Sequence, residues 1–153
     1  MGNLRTTGFR LSWVLTQELA LGPAPRADRH LDRLEAEGIR AVLSLCAEAE
    51  APPPADLARR FVARRLVLPD HRSPQPLQVQ QLQEALELLD GLRQQGPVFV
   101  HCLAAMERSP LLCLAWLMRR RGLSRLRALD YLMQVHPGTS PLASQLVVLD
   151  QLC

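Results

Sequence analysis

His101-Cys102, five further residues and then Arg108-Ser109 are the residues of this sequence whose types and spacing can do chemistry. The apolar run Val98-Phe99-Val100 before them reads as a short buried strand, and the run from Leu111 to Arg121 after them reads as a helix. A thiol at a strand end, a tight loop and a helix start place backbone N–H groups around one point, with the positive end of the helix facing it. Such a nest binds an oxyanion, and a cysteine at a helix N-terminus is favoured as thiolate. Arg108 can hold two oxygens of a tetrahedral dianion in a bidentate fork. Thiolate, amide cradle and arginine together are equipment for attacking phosphorus and forming a cysteinyl-phosphate.

The order His-Cys, five residues, Arg-Ser resembles the signature of the cysteine-based protein tyrosine phosphatases, and the length and spacing are similar to the small atypical dual-specificity phosphatases. Ser12-Trp13-Val14-Leu15, Gly38-Ile39-Arg40, Leu68-Pro69-Asp70 and His136-Pro137-Gly138 fall in that family's order. The resemblance implies a three-layer α/β sandwich with a central, mostly parallel sheet. It implies Cys102 as nucleophile, Arg108 on the phosphoryl oxygens, Ser109 assisting the sulfur as leaving group, and Asp70 as general acid and then base. Leu103, Ala104, Ala105, Met106 and Glu107 complete the phosphate-binding loop between Cys102 and Arg108, and His101 is expected to support it through backbone contacts. No metal and no organic cofactor is required. Cys46, in Leu45-Cys46-Ala47-Glu48, resembles a strand-end cysteine that can pair with the catalytic one under oxidation; a buried apolar thiol is the plainer reading.

Two residues depart from the family pattern. The position of Ala105 is usually glycine; if it takes positive φ, its methyl group costs on the order of 1 kcal/mol. Glu107 puts a carboxylate beside a dianion site, so its side chain must turn away from the phosphate. These departures leave open a binding module for phosphorylated partners that lacks turnover. Phosphoinositide, phosphoglucan and RNA 5′-phosphate remain open as substrates beside phosphotyrosine and phosphoserine or phosphothreonine in proteins. A persulfide-carrying sulfurtransferase fits Arg108-Ser109 and Asp70 poorly.

The remaining elements have to bring these groups together. Gly8 to Leu21 reads as one or two short edge strands, Arg26 to Glu37 as a helix closed by Gly38, and Ile39 to Leu45 as a strand. A proline-rich loop leads to a short helix at Asp56 to Arg60 and a strand from Phe61 to Leu68. Pro69 to Pro76, with Asp70, His71 and Arg72, is a turn-rich loop in which His71 and Arg72 either steer an anion or are simply solvated. Leu77 to Gln95 carries Leu82, Leu86 and Leu89 on one helical face. Leu123 to Val135 and Ser140 to Leu152 read as two closing helices, the second capped by Ser140. His30 and His136 read as surface and turn histidines.

Composition bounds what such a fold can serve. The chain has 153 residues, 48% hydrophobic and 22% charged, enough for a single phosphatase-like domain over 1–153. Its eighteen basic residues are all arginine, so anions are held by guanidinium or backbone N–H. A net charge of +3 and six aromatics give no stacking platform for bases, so no nucleic acid is expected. No stretch reads as a membrane span, and Met1 to Thr7 does not read as a signal peptide, so no membrane partner and a cytoplasmic location are expected. The four cysteines lack metal spacing. A monomer acting on phosphorylated protein or peptide is the expected assembly.

Overall fold

A computed structural model describes residues 9–152. Its strands are β1 (Ser12–Leu15), β2 (Leu19–Gly22), β3 (Ala41–Ser44), β4 (Val62–Arg65) and β5 (Val98–His101). They form one sheet in the order β1-β2-β5-β3-β4. Only the β1–β2 pair is antiparallel; β2–β5, β5–β3 and β3–β4 run parallel. The helices are α1 (Asp28–Ala36), α2 (Leu57–Arg60), α3 (Val79–Arg93), α4 (Arg108–Arg121), α5 (Arg125–Val135) and α6 (Ala143–Leu149).

Strand alternation divides the core into two layers. Leu19 and Leu21, Ala41 and Leu43, and Val98 and Val100 face the side covered by α3, α4, α5 and α6. Ala20, Val42 and Phe99 face the opposite side, against Leu31 and Leu34 of α1, Leu57 of α2 and Phe61. Helices therefore cover both faces, which is why β5 is apolar through Val98, Phe99 and Val100. Gly38 and Gly122 turn the chain out of α1 and α4 at φ 93° and 75°, a conformation costly for residues with a Cβ.

Most elements are shorter than the sequence expectation by one to three residues at an end, and three further differences bear on the site. β2 is not an edge strand: it lies between β1 and β5, and all of its residues are buried. Helix α4 begins at Arg108 rather than Leu111, because the loop closes directly into its first turn. Ser140 does not cap α6; its N–H donates to the Met106 carbonyl, and the helix starts after Leu142, whose N–H donates to Gln145 Oε1. His30 serves the start of α1, where its Nδ1 accepts from the N–H groups of Arg26 and Ala27. No helix among the described residues is long and apolar enough to cross a membrane.

Candidate active site

Parallel pairing brings the chemistry to one edge of the sheet. Gly22 and Ser44 are both in register with His101, so β2, β3 and β5 end together, and the segments that follow them meet there. The turn after β5 is Cys102 to Glu107, and α4 begins at Arg108. Cys102 is only 2% exposed, yet it lines a cleft of about 220 Å³ with Leu103, Ala104, Met106, Glu107, Arg108, Asp70, His71 and Arg72. Its Sγ is 3.3 Å from Ser109 Oγ and accepts from the Ser109 N–H at 3.5 Å.

Ala105 sits at φ 60°, the left-handed conformation expected of a position usually held by glycine. His136 reaches this residue across the fold, a correction to its reading as a plain turn histidine. Its Nε2 is 2.7 Å from the Ala105 carbonyl and its Nδ1 is 2.8 Å from Ser12 Oγ. Because a carbonyl can only accept, Nε2 carries the hydrogen and ties down the residue with the unusual backbone. Leu103 is tied similarly, its carbonyl accepting from Ala24 N–H at 3.2 Å.

His101 is fully enclosed beneath the loop. Nδ1 donates to the Cys102 carbonyl at 2.9 Å, and Nε2 therefore accepts from Ser44 Oγ at 2.6 Å. Burial above all, aided by the charges of Arg65 and Arg108, pushes the imidazole down to about 4, so the ring is neutral.

Arg108 is buried, and Glu50 compensates its charge. Nη2 donates to Glu50 Oε1 at 2.8 Å, and Nη1 donates to Glu50 Oε2 at 3.2 Å and to the Leu68 carbonyl at 3.4 Å. These bonds hold the Glu50 carboxyl below its ordinary range. Asp70 Oδ2 lies 3.8 Å from Arg108 Nη2. Its own partner is Arg72, which donates through N to Oδ1 at 2.9 Å and through Nε and Nη2 to Oδ2 at 2.9 and 2.7 Å. Burial raises the proton affinity of Asp70, but the Arg72 hydrogen bonds and the charges of Arg108 and Arg72 outweigh it and leave the carboxyl low. Glu107 faces His71 and Gln145 rather than the centre of the loop.

Cys46 lies just beyond the end of β3, at the same sheet edge as Cys102, and is a buried free thiol. Burial first, and then the Glu50 carboxylate, push it up against the opposing pull of Arg108 and Arg65. Arg65 donates to its carbonyl. Sequence reasoning missed Glu50 and Gln145. For Glu50 a signal existed: an arginine destined for burial needs a carboxylate partner, and the loop after Cys46 holds Glu48 and Glu50. Among the described residues no group of three or more His, Cys, Asp or Glu side chains could hold a metal ion.

Comparison with known proteins agrees with this geometry. The family model described as dual specificity phosphatase, catalytic domain, matches residues 19–152. Human dual specificity protein phosphatase 5 is 40% identical over 60 residues, 39% of this chain and 16% of that protein. Dual specificity protein phosphatase 1-B of Xenopus laevis is 32% identical over 124 residues, 80% of this chain and 32% of that protein. The chain thus spans less than a third of the length of these curated relatives. The crystal structure of Tk-PTP in the active form superposes with a TM-score of 0.78 at 30% identity, covering 93% of this chain and 95% of that one. With a three-layer α/β sandwich of the protein tyrosine phosphatase type, and with the match running from β2 through the loop after β5 to the last helix, the chain belongs to the dual specificity phosphatase catalytic-domain family.

Proposed function

We propose that the chain, acting as one phosphatase-like domain and a monomer, hydrolyses phosphomonoesters of proteins through a cysteinyl-phosphate, with phosphotyrosine as the principal substrate and phosphoserine or phosphothreonine also admitted. The observation that carries this reading is the placing of Cys102 Sγ against the N–H and Oγ of Ser109 at the head of α4, in one cleft with Arg108 and Asp70. The cleft is below the size range usual for enclosing a whole small-molecule ligand. It suits the phosphorylated end of a side chain presented by a larger partner.

In the first step the Cys102 thiolate attacks phosphorus, the bond from phosphorus to the ester oxygen breaks, and Asp70 gives that oxygen a proton. In the second, Asp70 takes a proton from water as its oxygen attacks the cysteinyl-phosphate. The sulfur–phosphorus bond breaks, Ser109 stabilises the departing thiolate by hydrogen bonding, and inorganic phosphate leaves. Arg108 has five N–H donors. Glu50 and Leu68 take three of them, leaving Nε–H and one Nη2 hydrogen for two phosphoryl oxygens. Glu50 thereby aims the fork. His101 acts as a positioning residue, fixing the peptide at which the loop begins.

The test is hydrolysis of p-nitrophenyl phosphate and a phosphopeptide panel by wild type, Cys102→Ser and Asp70→Asn. Cys102→Ser is expected to abolish turnover, and Asp70→Asn to reduce it about a hundredfold or more on peptides. Wild-type protein that binds phosphopeptides without turnover would replace this reading with a binding module. Faster turnover of phosphoinositides than of any peptide would change the substrate class.

A further inference from the structure

Glu107 has a carboxylate where a dianion is to bind, and its hydrogen bonds give that carboxylate a task. Oε1 accepts from the His71 backbone N–H at 3.1 Å and from Gln145 Nε2 at 3.0 Å, and Oε2 accepts from His71 Nδ1 at 2.5 Å. Gln145 is 7% exposed, and its Oε1 is fixed by the Leu142 N–H at 2.7 Å. One side chain of the phosphate loop is therefore joined both to the residue directly after Asp70 and to the first turn of α6.

The other contacts of the Asp70 segment hold its start or its own turn: Leu68 N–H donates to the Leu45 carbonyl at 2.9 Å, and Asp70 lies 3.8 Å from Arg108. Arg72 binds Asp70 within the same segment, and Ser73 N–H donates back to the Asp70 carbonyl, so neither bond anchors the loop to anything else. Arg72 reaches Glu50 only at 3.5 Å, and Arg108 reaches the Leu68 carbonyl at 3.4 Å. The bonds from His71 to Glu107 are the shorter ties to the phosphate loop, and both are charge-assisted because their acceptor is a carboxylate.

We infer that Glu107 and His71 are positioning residues that dock the Asp70 segment onto the phosphate loop, so that the general acid stands over the cleft before substrate arrives. This rests on the phosphatase reading of the same site. A carboxylate engaged by two N–H donors of His71 and one of Gln145 also presents less charge to an incoming phosphate, so the same contacts reconcile Glu107 with an anion site.

A docking role differs from simple loop support in its dependence on the leaving group. p-Nitrophenolate departs without a proton, whereas phenolate and alkoxide need one from Asp70. The ratio of kcat/KM on phenyl phosphate to kcat/KM on p-nitrophenyl phosphate, which reports the first step alone, is expected to fall about tenfold in His71→Ala and in Glu107→Gln. The two effects should not add in the double variant, and His71→Asn, which keeps an N–H donor, should restore most of the ratio. A ratio unchanged from wild type would overturn the inference. Amide hydrogen exchange over residues 69–76 gives a readout independent of turnover. It should accelerate in His71→Ala, and exchange at the wild-type rate there would overturn the inference as well. Absence of turnover in wild type would remove the phosphatase reading, while the exchange measurement would still decide the docking.

Discussion

Acidification should weaken the fold through His101. The ring is 2% exposed, Nδ1 donates to the Cys102 carbonyl, and Nε2 accepts a hydrogen bond from the Ser44 hydroxyl. In the unfolded chain the imidazole binds a proton near its ordinary value of 6.5, whereas in the folded protein it stays empty until about 4. Between those values the unfolded state binds more protons, so stability is complete above the unfolded value and is lost as the pH falls. The gap corresponds to about 3 kcal/mol when fully expressed, with about 2 kcal/mol already lost at roughly pH 5. That is a large fraction of the ~5–15 kcal/mol typical of a domain.

Urea unfolding of wild type and His101→Asn at pH 7 and pH 5 measures it. Asparagine keeps a donor for the Cys102 carbonyl but does not titrate. The variant begins less stable because of its altered packing, but the change between the two pH values is the quantity of interest, and the other titrating groups cancel from it. Wild type should lose about 2 kcal/mol more than the variant over that interval. Ser44→Ala should narrow the difference, because the lost hydroxyl donor favours the neutral ring. Parallel pH dependences in wild type and His101→Asn would refute the neutral, buried imidazole. The same result bears on enzymology: assays at mildly acidic pH sample a weakened fold.

Arg72→Gln should move the alkaline limb of kcat/KM to higher pH. In the proposed first step the acid form of Asp70 is the active one, and its proton affinity rises once the Arg72 bonds are gone. A limb that stays in place would mean another group titrates. His136→Ala should cost about 1–3 kcal/mol in chemical denaturation, because the Ala105 carbonyl loses its partner, and should weaken vanadate binding; unchanged values would remove its role as a brace. Mild peroxide should produce a Cys46–Cys102 disulfide detectable by mass spectrometry. Cys102 is first oxidised to the sulfenic acid, and the Cys46 thiol then displaces water from it. Sulfinic acid on Cys102 as the sole product would exclude Cys46 as the partner.

How much of this was legible in the sequence follows from the range of the forces involved. Val98 to Arg108 is a local signal: a strand, a turn and a helix start contiguous in the chain, and the structure forms them where the residue types require. The positive φ of Ala105 was foreshadowed only through the family resemblance, in which glycine usually holds that position. The ties that hold the loop were not. Arg108 meets Glu50 across 58 residues, Glu107 meets Gln145 across 38, and His136 meets Ser12 across 124. A side chain fixed over such distances leaves no periodicity in the chain, so His136 looked like part of a turn. Gly8 to Leu21 looked like edge strands because its apolar residues alternate from Phe9 to Leu15, and only the pairing of β2 with β5 makes that strand interior.

The distribution of charge links substrate binding to acid supply. Glu50, Asp70, Arg72 and Arg108 form two carboxylate–guanidinium pairs whose charges cancel, so neither arginine brings an uncompensated positive charge to the cleft. A phosphate dianion must therefore be held by the N–H groups of the loop, the head of α4 and the donors of Arg108 that Glu50 leaves free. Once bound, it places two negative charges beside Asp70 and competes with it for Arg108, which lies 3.8 Å away. Both effects favour the protonated carboxyl. Under the proposed mechanism Asp70, ionised and paired with Arg72 before ligand binds, is thus driven to take up a proton by the ligand whose leaving group needs it. Proton uptake on vanadate binding, measured by calorimetry in buffers of different ionisation enthalpy, should be present in wild type and absent in Asp70→Asn. Equal uptake in the two proteins would place the proton elsewhere and break the coupling.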